Sequence, residues 1–279
     1  NPYINLTPKH SYNVGSDINH FLLSGPGTNM TKTYVTRTIQ TWIQDYKIDG
    51  FRWDLTKGFT NSCSSGDENC TNAYQADRVA KLKEYADIQW SFDPNFLVIF
   101  EHLGVNGSAN EELEWANYLR SGDSKGIMQW RKMTDPYANL LKGNYADLSG
   151  VADNTTNRFI GYAESHDEER LMFRNALYGK QSGTYNTRNL TTALQRMEMA
   201  FTVFTLSPGP KMIWQFGELG YDYSINTCEN GSVNNNCRLS PKPVPWSYLN
   251  QPARKRLSDV VSSLNALRSK YAVFKELPA

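Results

Sequence analysis

The sequence predicts an α/β fold of the parallel (β/α)8 barrel type. Short apolar strands alternate with amphipathic helices, the pattern of a parallel sheet with right-handed crossovers. Reactive side chains recur where strands end: Asp54, then Glu101, then His166 with Asp167. In such a barrel the C-terminal ends of the strands form the catalytic face. An open doubly wound sheet is the rival architecture, but no glycine-rich phosphate loop follows a strand.

Residues 1–30 read as an irregular loop, rich in turn formers such as Pro2, Pro8, Gly15, Gly25, Pro26 and Gly27. A helix is expected over 32–46, with Val35, Ile39, Trp42, Ile43 and Tyr46 along one side. It leads into the strand IDGFRWDL, residues 48–55. Residues two apart in a strand share a face, so Arg52 and Asp54 project together while Phe51, Trp53 and Leu55 face the other way. Taken alone, that Arg and Asp are as readily a structural ion pair as part of a site. A polar loop over 56–72 precedes a helix over 73–90 carrying Val79, Leu82 and Ala86. Asp93-Pro94-Asn95 is a turn, and 96–100 is an apolar strand ending at Glu101.

Residues 110–120 read as helical and 127–133 as a strand. The strand over 159–164 runs out into Ser165-His166-Asp167-Glu168-Glu169. A helix over 190–204 places Leu190, Ala193, Leu194, Met197, Phe201 and Phe204 inward and stops at Pro208-Gly209-Pro210. A last strand is expected over 212–216, and a last helix over 252–267 with Leu257, Val260, Val261, Leu264 and Leu267 on one face.

Lys and Arg number 29 against 28 Asp and Glu, a net charge of +1 that gives no electrostatic reason to expect nucleic acid or an anionic membrane as partner. No apolar run is long enough to span a bilayer. Sixteen Tyr and seven Trp in a polar chain suit carbohydrate, whose sugar faces stack on rings, although most will be structural. Four cysteines fall as near pairs, Cys63 with Cys70 and Cys228 with Cys237. Three connectivities are open; the local one closes two short loops and implies an oxidising compartment, and free thiols are the alternative. Neither pair has zinc-site spacing. Seven Asn-x-Ser/Thr sequons, among them Asn29 and Asn154, add little beyond what this composition supplies by chance.

Carboxylates at successive strand ends would converge over one barrel mouth. Like charges held together drive pKa values apart, so one group stays protonated while another stays ionised. Glycosidic bond cleavage needs that division. Carboxyls about 5–5.5 Å apart allow direct attack and retention, and about 6.5–9.5 Å leaves room for water and inversion. The bland alternative for each is a solvated loop charge.

FRWDLTKGF, the strand ending in Glu101-His102, and AESHDEER resemble the second, third and fourth conserved regions of the α-amylase family, glycoside hydrolase family 13. PGPKMIWQFGELGYD resembles the last barrel strand and loop of its secreted bacterial members. The resemblance implies that Asp54 is the nucleophile of a retaining α-1,4-glucan hydrolase, Glu101 the general acid/base and Asp167 the transition-state stabiliser. Arg52, His166, Lys57 and His102 are the implied substrate-binding companions. Gly58 stands where a His often follows that Lys. A family transglycosylase, a branch-linkage hydrolase and an inert glucan-binding barrel are the alternatives.

The family's first conserved region has no match; Ser16-Asp17-Ile18-Asn19-His20 only echoes it. By this alignment residues 1–270 supply strands four to eight of the barrel with their helices, and 271–279 begin a linker to a missing β-sandwich. The chain opens at Asn-Pro without a Met and is expected to be a piece of a longer protein, monomeric and, if the cysteines are paired, secreted, periplasmic or at the cell surface. Because five strands cannot close a barrel, negligible activity is expected of the piece alone. No cofactor is certain; the family's structural calcium draws on the unmatched first region, which leaves calcium an option for the full-length parent and not an expectation for this chain. The expected partner is an α-glucan polysaccharide.

Overall fold

β1, Gly50–Trp53, lies parallel to β2, Leu97–Phe100, with Gly50 opposite Leu97 and Trp53 opposite Phe100. β2 pairs in turn with β3, Met128–Lys132, through Ile99 opposite Met128, again parallel. The computed structural model describes residues 3–12, 18–22, 29–121, 124–151 and 156–274. Ser16 and Asp17, the turn formers Pro2, Gly15, Gly25, Pro26 and Gly27, the Asn154 sequon and the last five residues of the expected linker lie outside them. The chain divides into two compact units, Asn1–Trp130 and Arg131–Ala279.

In the first unit α1, Met30–Gln44, precedes β1; α2, Glu68–Asn72, and α3, Ala76–Phe92, lie between β1 and β2, and α4, Ser108–Ala116, lies between β2 and β3. Asn29 starts α1 by accepting from the Lys32 amide at 2.7 Å, satisfying one of the donors a helix N-terminus leaves open. The core joins Ile39 and Ile43 of α1 to Val79, Leu82, Ala86 and Trp90 of α3, Val98 and Phe100 of β2, and Trp115 of α4. Each buried Val, Leu, Ile and Phe among them stabilises the unit by about 1.5–3 kcal/mol. The inward stripe of α1 is narrower than its sequence suggests: Trp42 is 42% and Tyr46 65% exposed, and they pack on each other with ring centroids 4.6 Å apart. Leu55 does not continue the strand. Its backbone is left-handed (φ 44°), and its side chain is exposed.

The second unit contains α5, Thr134–Lys142, β4, Phe159–Tyr162, and α6, Leu171–Tyr178. A small antiparallel hairpin follows, β5, Gln181–Ser182, with β6, Tyr185–Asn186. Then come α7, Leu190–Leu206, β7, Lys211–Met212, and α8, Pro252–Lys270. β4 and β7 are parallel, Gly161 opposite Lys211, and the Met133 amide just past β3 donates to Tyr162 O at 2.8 Å. Leu194, Met197, Phe201 and Phe204 of α7 pack with Tyr137 and Leu141 of α5 and Leu257 and Val261 of α8. Leu190, the first residue of α7, is exposed instead, because Asn189 caps the helix beside it and the turn faces outward. The strand expected over 212–216 is two residues long: Phe216 turns left-handed (φ 60°) and the chain leaves the ladder. Leu267 of α8 also faces outward.

Among the described residues, five strands run in parallel ladders separated by helices, β1-β2-β3 in one unit and β4-β7 in the other. The alternation read from the sequence therefore holds. Cys63 pairs with Cys70 and Cys228 with Cys237, the local connectivity. No described helix is long and apolar enough to cross a membrane.

Candidate active site

The first unit gathers Arg52, Asp54 and Glu101 where β1 and β2 end. Strand periodicity puts Arg52 and Asp54 on one face, and the parallel register brings Glu101 beside them, its amide donating to Trp53 O at 3.0 Å. One guanidinium serves both acids: Arg52 Nη1 lies 2.5 Å from Asp54 Oδ1, and Nη2 lies 2.8 Å from Glu101 Oε2. The guanidinium is itself seated 4.2 Å from the centroid of the Trp130 ring, which limits its freedom. The left-handed turn at Leu55 points that residue's amide at Glu101 Oε2, 3.1 Å away.

The two carboxyls differ in environment. The Asp54 side chain is 76% exposed and the Glu101 side chain 12%. Burial pushes the Glu101 carboxyl above the usual carboxylate range. The Leu55 amide and Arg52 pull the other way without cancelling it, and contact with Asp54 pushes it further up. A proton therefore stays on Glu101 to higher pH than on an ordinary glutamate. That is the state a general acid needs.

Behind these groups lies a buried network. The His102 ring is wholly enclosed, with Nδ1 3.0 Å from the Thr56 hydroxyl and Nε2 2.9 Å from Glu111 Oε2. Glu111 accepts from Arg78 Nε and Nη2, both at 2.8 Å. Arg78 also donates to the carbonyls of Lys57, Thr71 and Ala73, tying the loop after β1 to α3 and α4. Lys57 is buried too. Its Nζ donates to Asn72 Oδ1 at 2.8 Å, and burial together with Arg78 lowers its pKa. Thus Arg52, Asp54 and Glu101 share one cluster, while His102 and Lys57 face inward from it.

The second unit holds His166 and Asp167 just beyond β4. Both side chains are about half exposed (46% each), and His166 Nε2 lies 3.2 Å from Asp167 Oδ2. Ser165 Oγ accepts from the Asp167 amide at 3.0 Å and donates to Glu168, giving the turn its shape. Arg238 donates from Nη2 to Asp167 Oδ1 at 2.9 Å and to the Asp167 carbonyl at 3.2 Å. An open pocket around them is lined by His166, Asp167, Trp214, Tyr221, Arg238 and Lys242, among others. Below it, buried Glu164 accepts from Arg170 and from the Leu171 amide, which starts α6.

The sequence matches no family model and no curated protein. Solved structures are. Pullulanase from Paenibacillus barengoltzii, in complex with maltohexaose and α-cyclodextrin, matches 88% of this chain at TM-score 0.59 and 16% identity. The multi-modular glycogen-degrading pneumococcal virulence factor SpuA matches 88% at 0.57 and 15%, and pullulanase from Bacillus acidopullulyticus 88% at 0.54 and 19%. The chain shares their fold. It spans 37%, 29% and 29% of those chains, respectively.

Sequence reasoning missed Arg238 and the Arg78–Glu111 pair. Each joins positions far apart in the chain, and the one available hint was an Arg directly after Cys237. Among the described residues no three Asp, Glu, His or Cys side chains gather so as to hold a metal ion.

Proposed function

We propose that the chain is the catalytic part of a retaining α-1,4-glucan hydrolase acting on starch- or glycogen-like polysaccharide. The single observation that carries this is Arg52 bridging an exposed carboxyl and a largely enclosed one, whose enclosure raises its pKa. Asp54 is open to an incoming sugar and, with Arg52 beside it, suits the nucleophile that attacks the anomeric carbon. Glu101 suits the acid that protonates the leaving glycosidic oxygen and, once ionised, the base that takes a proton from the water that releases the sugar. One guanidinium reaches both carboxyls, which suits the short separation that retention needs. Asp167, with His166 beside it, is assigned to gripping the sugar ring as positive charge develops on it. The fold, shared with two pullulanases and a glycogen-degrading virulence factor, supports a glucan substrate.

The two pullulanases among these neighbours favour a second reading, hydrolysis at branch linkages. The two disulfides accord with a secreted or periplasmic protein.

The test is to incubate the full-length protein with amylose and with pullulan and to follow the first products by proton NMR. The α-anomer released from amylose supports the main reading; release from pullulan alone supports the second. First products in the β-form would overturn retention, and no release from either glucan would overturn the hydrolase.

A further inference from the structure

We infer that Arg238 is the positioning residue for Asp167 and that the Cys228–Cys237 loop is the strap that holds it in place. This rests on the assignment of Asp167 above and extends it to a loop with no role in that assignment.

The segment after β4 and the loop over 224–242 are stitched together at two points. Glu169, two residues after Asp167, accepts from Ser224 Oγ and from the Ile225 amide, each at 2.8 Å, and so fixes where the loop starts. Arg238 returns from the far end of the loop to Asp167 Oδ1 and to its carbonyl. The disulfide short-circuits the path between these stitches: Cys228 follows Ile225 by three residues, and Cys237 directly precedes Arg238. Lys242 reinforces the shortcut by donating to Thr227 O at 3.1 Å and to Cys237 O. The Asn234 amide adds a bond to Asn226 O at 2.9 Å.

Arg238 and Asp167 are both close to half exposed, and an ion pair in that setting is too weak to hold its own geometry. The strap supplies what the pair lacks. It delivers the guanidinium to one carboxylate oxygen while His166 stands 3.2 Å from the other, so the carboxylate meets the pocket in a single orientation. Pre-orientation of this kind acts on the transition state more than on ground-state binding.

The experiment measures kcat and KM of the full-length protein on soluble α-glucan for Arg238→Gln, Arg238→Lys and the double variant Cys228→Ser/Cys237→Ser. Arg238→Gln should lose about tenfold or more in kcat with KM changed less than about threefold. Arg238→Lys should recover much of that loss, and the double variant should lose kcat in the same direction by a smaller factor. Backbone hydrogen exchange over 165–169 should quicken in Arg238→Gln and in the double variant, and slow again in Arg238→Lys. A wild-type kcat in Arg238→Gln, a change confined to KM, or no recovery with Lys would overturn the inference. If the unaltered protein hydrolyses no α-glucan, the functional reading fails by itself. The exchange measurement then decides the role of Arg238, and unchanged exchange in Arg238→Gln would overturn it.

Discussion

Glu111 takes two hydrogen bonds from Arg78, one on each carboxylate oxygen, and neither side chain has any exposed surface. Around the pair, the Gln75 amide donates to Glu111 at 2.6 Å, and Arg78 reaches three carbonyls of the loop that follows β1. A fully desolvated pair contributes little compared with a well-packed apolar substitute, but removing one partner strands the other. Glu111→Gln should therefore destabilise the chain by about 3–5 kcal/mol in chemical denaturation.

The same carboxylate has a pH signature. Burial alone would raise its pKa, but His102 and Arg78 more than offset that and hold it below the ordinary range. A depressed folded-state pKa gives stability that is present above the unfolded value and lost as pH falls through the folded one. Glu111→Gln should accordingly flatten the acid limb of the stability curve; a variant whose acid limb matches that of the unaltered chain would refute this.

Glu101 behaves in the opposite sense. Its folded-state pKa is raised, so its contribution to stability is fully present below the unfolded value and is lost as pH rises through the folded one. For the proposed chemistry the same shift keeps the acid protonated, and activity should decline as pH rises through it. Asp54→Asn removes one upward push and leaves Arg52 to Glu101 alone, so Glu101 should titrate lower in that variant. Carbon-13 NMR of labelled glutamate reads this directly. An unchanged or higher Glu101 pKa would mean that the two carboxyls do not sense each other.

Much of this was legible from local pattern, because strand alternation is a short-range property. The shared face of Arg52 and Asp54 followed from it, and so did the core face of α3. The same alternation accounts for His102: as the direct neighbour of Glu101 it points the opposite way, into Trp115 and Glu111. Leu55 broke the pattern because the chain reverses there to let the Thr56 amide reach Glu101 O at 3.0 Å, a tertiary demand with no local mark. α5 opens on Thr134-Asp135-Pro136, a pattern that reads locally as a turn, and α6 is only eight residues long, so neither shows a helical stripe in the sequence. Arg238 stands 71 residues from Asp167, a separation over which the sequence carries no periodic signal.

Gly50 sets how closely β1 approaches β2. A Cβ there would meet Leu97 O at 2.6 Å and Leu97 Cβ at 2.7 Å, and the carbonyl cannot retreat without pulling on the ladder. Gly50→Ala should destabilise the chain by about 1–3 kcal/mol, the usual range for overpacking, and shift Asp54 against Glu101. Thermal unfolding measures the first effect, and kcat of the full-length protein measures the second. Unaltered values of both would show that β1 has slack.

The Cys63–Cys70 bridge closes a loop of eight residues beside α2, whose Thr71 and Ala73 carbonyls are among those held by Arg78. In the chain-entropy account a loop of that length stabilises by about 2.5 kcal/mol. Arg78 already restrains the same segment in the folded state, so losing the bridge should act mainly on the unfolded chain. Cys63→Ser/Cys70→Ser should thus lower stability by about 2 kcal/mol while leaving hydrogen exchange at the Arg52, Asp54 and Glu101 amides unchanged under native conditions. Faster exchange at those three amides would show instead that the bridge shapes the folded site.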